Sequence, residues 1–451
     1  MKRPYESPTI SRHQGGITNK FGVGVSNRFQ SEIEGFPISK LLQEYGTPLF
    51  VYSEKTLKKT YREMLDAFSL RYPKTRHAWS YKTNYLKAVC RSFHRLGSWA
   101  EVVSGMEYEM ARANGVDPRF IVFNGPYKPY PVLKRALEDG AIVNLDSLDE
   151  YFEAEEIASQ LRHPVKIGLR LNMSLGTHMS WDRYGFNIES GEALAAVKRI
   201  LAGRKIRIEG IHAHIGTFVY DVQNYSTAIT KLAEFATALK RDFGISLKYI
   251  DIGGGFASRN RLRGTYLSTA DMIPSFDTYA EAICKPLLDG LTSVFHPEEL
   301  PTLILESGRR MVDEAGMLIS TVSSTKRMNS GTRGLVIDAG VNLLFTSFWY
   351  DHDVLPTSDH GYSNEDHVIF GPLCMQIDVI RPTVHLPHLE KGDSVIIKPA
   401  GAYNNTQWMQ FINLRPNVVM ISENGKVGLI RRAEDVAYLQ ERETIPEWLN
   451  G

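Results

Sequence analysis

The run HAWSYK, residues 77–82, puts an ammonium group where a buried strand stops. Other apolar runs of this chain also end on polar residues. In order, those ends are Lys82, Ser104, Asn124, Asp146, Asn172, His214, Gly253 to Gly255, and Glu306 with Arg309. Each has an ordinary reading alone. Lys82 fits a solvated strand end, His214 a satisfied core histidine, the glycines a plain turn, and Glu306 with Arg309 an exposed ion pair.

Taken together they allow narrower chemistry. A lysine amine at a strand end can form a Schiff base. Successive glycine amides and an arginine fork suit a phosphate. The His214 ring can stack, and the Glu306 carboxylate can face a protonated ring nitrogen. Aldehyde, phosphate, flat ring and basic nitrogen are the features of pyridoxal 5'-phosphate, the cofactor this set would take. His212 and His214 also invite a metal reading, but the sequence offers no third ligand at a plausible spacing, so no metal is expected.

These residues meet only if the strands that carry them do. Eight runs read as strands: HAWSY, WAEVV, FIVF, AIVNL, VKIGLRL, IRIEGIHAHI, LKYIDI and TLILE. Stretches of helical period lie between them, which is the rhythm of βα units and a parallel sheet. Ser104 with Glu107 and Ser147 with Glu150 announce two helix starts as capping boxes, the glutamate reaching back to the N-cap amide. Gly97, Gly115, Gly140 and Gly203 are expected to close helices in the left-handed conformation. Eight repeats predict an α/β fold with a closed (β/α)8 TIM-type barrel, an open doubly wound sheet being the alternative. Polar residues at the C-terminal strand ends would then share one mouth.

After about residue 310 the long helical stretches stop and short alternating runs follow, as expected of a second, mainly β domain. Asn424-Gly425 predicts a hairpin with a two-residue turn. TPLFVY near residue 50 is an extra strand that could join the two parts. The expected division is a barrel over 48–310, and a β domain from 1–47 plus 311–451. Residues 1 to about 35 read as a loosely ordered arm.

Composition removes several classes of function. Lys and Arg number 52 against 51 Asp and Glu, a formal net charge of +1, so neither nucleic acid nor an acidic membrane is an expected partner. Cys90, Cys284 and Cys374 are odd in number and far apart, without a disulfide framework or a zinc spacing. No apolar run is long enough to suggest a signal peptide or a membrane span, and a cytoplasmic protein is expected.

The motifs and their order resemble those of the barrel-fold PLP-dependent amino-acid decarboxylases, the diaminopimelate, ornithine and arginine decarboxylase group with an alanine racemase-like fold. SYKTN is similar to the family's cofactor-lysine motif and AEVVSGMEYEMARANGV to the segment after the second strand. GIHAHIG resembles the stacking-histidine motif, with Thr217 as a phosphate contact, and IDIGGG the phosphate loop. LESGRR is similar to the glutamate–glycine–arginine motif of Glu306, Gly308 and Arg309, with Ser307 where proline is usual. GPLC carries the active-site cysteine, Cys374, and AGAY the phosphate-side tyrosine, Tyr403.

The resemblance implies a homodimer with shared sites, Asp338 and Cys374 reaching the partner's cofactor. It implies that Lys82 holds the cofactor, that Glu306 keeps the ring nitrogen protonated, and that Cys374 or Lys82 returns a proton after CO2 leaves. A glutamate at that nitrogen favours decarboxylation over racemisation, for which related enzymes tend to use arginine.

The expected substrate pocket departs from the family. Met375 and Gln376 stand where an acidic residue usually holds a distal amine, and Thr346 where diaminopimelate enzymes carry arginine. A charged distal group buried among neutral residues would lack a partner. The expected substrate is therefore a modified or carrier-linked amino acid of a specialised pathway. Diaminopimelate decarboxylation in lysine biosynthesis is the alternative. Further rivals are a racemase on the same fold, a non-catalytic PLP carrier, and a Schiff-base aldolase using Lys82 alone.

Overall fold

The computed structural model describes residues 28–161, 164–176, 181–264, 272–361 and 364–449. Most of the N-terminal arm lies outside these residues. Eight parallel strands form a closed ring: β1 (Thr75–Ser80), β2 (Trp99–Val102), β3 (Ile121–Phe123), β4 (Ile142–Leu145), β5 (Val165–Asn172), β6 (Ile206–His212), β7 (Tyr249–Asp251) and β8 (Thr302–Leu305). Each pairs with the next, and β8 returns to β1 through Leu303, Ile304 and Leu305 against Thr75, Arg76 and His77. The closed barrel is the expected one, and the open sheet is set aside. One strand face is apolar and receives the helices, while the other carries a small apolar cluster of Ala78, Val122, Tyr249 and Ile304 together with buried polar side chains such as Glu101 and Asn144.

Among the described residues, seven long helices follow β1 to β7, from Lys87–Arg95 to Phe276–Leu291. The eighth place is taken by Glu54–Ser69, which precedes the barrel in sequence and packs beside Phe276–Leu291 and Lys87–Arg95. Ser104 Oγ and Ser147 Oγ accept from the amides of Glu107 and Glu150 as expected. The reciprocal bonds differ. Glu107 accepts from Val103 N at 2.7 Å and Glu150 from Asp146 N at 2.8 Å, one residue before each N-cap. Each glutamate thus pins the strand end as well as the helix start.

Gly97, Gly115 and Gly140 have the expected positive φ, but Gly203 does not; Arg204 takes the left-handed position at φ 58°. Gly203 is needed for closeness instead, because a Cβ there would lie 2.2 Å from Glu155 Oε1 and 2.6 Å from Tyr151 Oη.

The second sheet is built around Gly316–Arg327, which pairs antiparallel with Leu49–Ser53, Ser394–Lys398 and Arg333–Ile337. Leu49–Ser53 also pairs in parallel with Val418–Ile421. That strand, placed with the barrel by a boundary at residue 48, hydrogen-bonds within the β domain and leads directly into helix Glu54–Ser69. It joins the two parts, as TPLFVY suggested. Its outer side and Ile33, Ile38 and Leu41 form a second apolar core with Ile319, Ile396 and Val419.

The hairpin at Asn424-Gly425 has a longer turn than expected. Its strands end at Ile421 and resume at Val427, with Ser422 N donating to Lys426 O and Gly425 at φ 75°. Among the described residues, no helix is long and apolar enough to cross a membrane.

Candidate active site

Lys82 leaves β1 on a short 3-10 turn, Tyr81–Thr83, and its side chain is 41 % exposed at the barrel mouth. Its Nζ donates to both carboxylate oxygens of Glu101, each at 3.0 Å. Burial opposes its charge, but Glu101, then Glu306 and Tyr403, hold the amine well above the ordinary lysine range. Gly308 fits against this turn, since a Cβ there would lie 2.0 Å from Thr83 Oγ1.

Glu306, just past β8, is 5 % exposed. Its Oε1 accepts from Asn124 Nδ2 at 2.6 Å, and its Oε2 lies 3.5 Å from His212 Nε2. Asp251 Oδ1 accepts from Gly253 N at 2.9 Å. His212, Asp251 and Glu306 bring ligand atoms within 4.8 Å of one another, all buried. The groups that the sequence did not pair with His212 are thus Asp251 on β7 and Glu306 just past β8, and His214 is not part of the cluster.

Two buried carboxyl groups this close share a proton. Burial, then Glu306, pushes Asp251 far up, so it carries that proton. Burial also opposes the charge of Glu306, but His212, Asp251 and Lys82 hold its carboxyl well below the ordinary range. An ionised carboxylate is what a protonated pyridine nitrogen needs.

His214 Nδ1 accepts from Gly254 N at 3.1 Å. Burial, then Lys82 and Arg170, lowers its pKa to about 3, so the ring is neutral and available for stacking. Trp181 meets it edge-on at 5.2 Å.

The glycine loop runs close to its neighbours. A Cβ on Gly253 would lie 2.6 Å from His214 Nδ1, on Gly254 2.7 Å from Glu306 O, and on Gly255 2.4 Å from Gly216 O. Gly253 and Gly255 also have φ of 66° and 106°, which other residues rarely adopt. Arg309 is layered against Phe218 at 4.7 Å, Tyr403 at 4.5 Å and Tyr350 at 5.3 Å. Its Nη2 donates to Thr217 Oγ1 at 3.4 Å, while Nε and Nη1 are buried and have no hydrogen-bond partner among the described residues. A half-buried guanidinium with two donors left over suits an anion. The residues present therefore fit pyridoxal phosphate: amine, neutral ring, carboxylate, and a phosphate end at Arg309.

Lys82, His214, Thr217, Gly253–Gly255, Glu306, Gly308, Arg309 and Tyr403 are brought together as the sequence suggested. The residues assigned to substrate and partner lie on the β domain. The Asp338 carboxylate already holds three donors, Ser320 Oγ, Thr321 N at 2.9 Å and Thr47 Oγ1. Thr346 is buried, and its hydroxyl is tied to Asn404 Oδ1 and His352 Nε2, each at 2.9 Å. Cys374 is exposed on the loop that carries Met375 and Gln376. That loop is held by Asp378, which accepts from Leu373 N at 2.7 Å and Val341 N at 2.8 Å.

Glu101, Asn124 as a partner of Glu306, and Asp251 were missed as site residues. A lone acid inside the apolar run WAEVV was the available signal for Glu101, because a buried carboxylate requires a partner.

Residues 55–313 match the family model described as the pyridoxal binding domain of pyridoxal-dependent decarboxylases. The chain is 30 % identical over 435 residues to the diaminopimelate decarboxylase of Methanocaldococcus jannaschii, covering 92 % of this chain and 95 % of that protein. It is 28 % identical to the diaminopimelate decarboxylase of Aquifex aeolicus, with 91 % and 94 % covered. The M. jannaschii enzyme solved with L-lysine superposes with a TM-score of 0.85 over 93 % of this chain and 96 % of that one.

Proposed function

The chain belongs to the pyridoxal-dependent decarboxylases and is an amino-acid carboxy-lyase using pyridoxal phosphate; on that premise we propose that it decarboxylates diaminopimelate or a close analogue. The joint placement of Lys82, His214 and Glu306 at one barrel mouth carries the chemistry in this reading. The relatives named for diaminopimelate, similar over nearly their whole length, support that substrate.

In the proposed site Lys82 would hold the cofactor's aldehyde end, His214 would stack against its ring, and Thr217, Gly253–Gly255, Arg309 and Tyr403 would hold its phosphate. The bound cofactor supplies an aldehyde for the substrate amine and a ring that accepts the electron pair left when CO2 departs. Glu306 keeps a negative charge beside the ring nitrogen. Lys82, or Cys374 from a second subunit, delivers the proton that replaces the carboxylate on the α-carbon. A homodimer is part of the proposal, and exposed Ile445, Trp448 and Leu449 at the C-terminus support it. The separated cysteines support a cytoplasmic setting.

One observation favours a second reading. Thr346 has its hydroxyl fully engaged, and neither it nor Met375 or Gln376 offers a charge. An amino acid whose distal end is masked, as in an amide or carrier-linked form, would suit such neutral residues.

The test is CO2 release by the cofactor-loaded protein from diaminopimelate and from its mono-N-acylated and amide derivatives. Turnover of free diaminopimelate at an ordinary rate upholds the first reading. Turnover of masked derivatives alone upholds the second.

A further inference from the structure

The Glu306 carboxylate is reached from inside the barrel, through its partner Asn124, by side chains that hold neither cofactor nor substrate in the site described above. Tyr249 Oη donates to Asn144 Oδ1 at 2.7 Å. Asn144 Nδ2 donates to Asn124 Oδ1 at 2.8 Å. Asn124 Nδ2 then donates to Glu306 Oε1 at 2.6 Å and reaches Glu101 Oε1 at 3.3 Å. All four relay residues are buried, Asn144 at 1 % and Asn124 at 3 % exposure.

The chain of bonds has one workable direction. A carboxylate only accepts, so Asn124 must turn its NH2 toward Glu306 and its oxygen toward Asn144. Asn144 must then present its own oxygen to the phenol, whose single proton closes the series. Hydrogen bonds aligned this way polarise one another toward the terminal anion.

The barrel makes room for this at some cost to ordinary packing. A Cβ on Gly168 would lie 2.0 Å from Asn144 Oδ1 and 2.2 Å from Tyr249 Oη, and one on Gly210 2.1 Å from the Tyr249 ring. Gly168 and Gly210 are register partners on β5 and β6. Barrel interiors are usually filled by branched apolar side chains. Here two strands leave their side chains out so that a phenol can stand in the middle. The other charged or titratable groups facing Glu306 are His212, Asp251 and Lys82, with His214 and His77 beyond them and Glu101 joined through Asn124.

We propose that Tyr249, Asn144 and Asn124 are positioning residues that fix the orientation of the Glu306 carboxylate and favour its ionised form, and so keep the ring nitrogen of bound pyridoxal phosphate protonated. This rests on the role given to Glu306 above. Asn124→Leu removes the donor at nearly unchanged size and adds no new titratable group, and Tyr249→Phe removes one oxygen while keeping the ring that fills the barrel.

The absorbance of the cofactor-loaded proteins is recorded from pH 5 to 9, beside wild type and Glu306→Gln, together with kcat and KM for the substrate found by the screen. Expected for Asn124→Leu are a displaced spectral midpoint, a fall in kcat of ~100-fold and a KM within about threefold of wild type. Tyr249→Phe moves both quantities the same way by ~10-fold or less, and adds little in the double variant.

If Glu306→Gln moves the spectrum while Asn124→Leu and Tyr249→Phe keep the wild-type midpoint, the relay is overturned and the role of Glu306 stands. If Glu306→Gln leaves the spectrum unmoved, that role falls and the relay with it. Should Asn124→Leu not fold, Tyr249→Phe decides by the same comparison.

Discussion

The Lys82 ammonium is chelated by Glu101, both carboxylate oxygens lying 3.0 Å from Nζ. An amine must lose its proton to attack a carbonyl, so this contact stores Lys82 in its unreactive form while preventing it from swinging into solvent. Burial works against the ammonium, and Glu101 is the largest influence holding its pKa up. Glu101→Gln therefore increases the neutral fraction about tenfold for each pH unit that the Lys82 pKa falls. The expected result is faster uptake of pyridoxal phosphate by the cofactor-free protein at pH 8, with the midpoint of its pH profile moved down. Stopped-flow absorbance measures it, and an unchanged profile would mean that Glu101 does not control the amine.

Glu107 gives a pH dependence of stability. Burial raises its carboxyl from 4.5 to about 7, so the folded chain keeps a proton that the unfolded chain releases. The native state binds more protons between those values, and stability falls as pH rises through that window. The loss amounts to ~3 kcal/mol at about 1.36 kcal/mol per pH unit. Glu107→Gln keeps an acceptor for Val103 N and cannot ionise. Its urea-unfolding free energy should vary less between pH 5 and 7 than that of wild type. Parallel curves for the two proteins would contradict the assignment.

What the sequence disclosed follows from how local each signal was. Lys82, His214, Gly253–Gly255 and Glu306 were legible because each stands at a strand end, and strand ends are visible as the last residue of an apolar run. The barrel was legible for the same reason. Glu101 and Asn144 point inward from the middle of such runs, so their partners depend on which strands become neighbours. Tyr249 looked like one more apolar strand residue, and only Gly168 and Gly210, 81 and 39 positions earlier, show that it enters the barrel. The β-domain residues were harder again. Asp338 could be matched to a motif, but its three donors come from residues near positions 47 and 320, which no local pattern connects.

Asp378 joins two loops of the β domain. It is 3 % exposed, and its two oxygens accept from the amides of Val341 and Leu373. Close packing fixes this arrangement, since a Cβ on Gly371 would lie 2.3 Å from Asp378 Oδ2. Asp378→Ala leaves two buried amides without acceptors, at a cost of ~2–4 kcal/mol. Hydrogen exchange should rise at Val341 and Leu373 while the β1–β8 ladder keeps its protection. Equal protection at these amides in variant and wild type would show that Asp378 does not hold the Cys374 loop.

The buried pair Lys128–Glu150 provides a last test, because its two members are not equivalent. Lys128 is 1 % exposed and donates to Glu150 Oε1 at 3.1 Å, Glu150 Oε2 at 2.9 Å and Gly125 O at 2.9 Å. Glu150 Oε2 also accepts from Asp146 N, and Asp146 lies 3.3 Å from Arg170. Breaking a buried pair from one side leaves an uncompensated charge and costs ~3–5 kcal/mol. Lys128→Met should show that loss in urea unfolding. Adding Glu150→Gln removes the stranded charge and keeps an acceptor for the Asp146 amide, so the double variant should recover most of it. Adding Glu150→Leu instead removes the charge but strands that amide, and should recover less. If both double variants were as unstable as Lys128→Met, the penalty would lie in lost packing around the lysine stem rather than in an unpaired carboxylate.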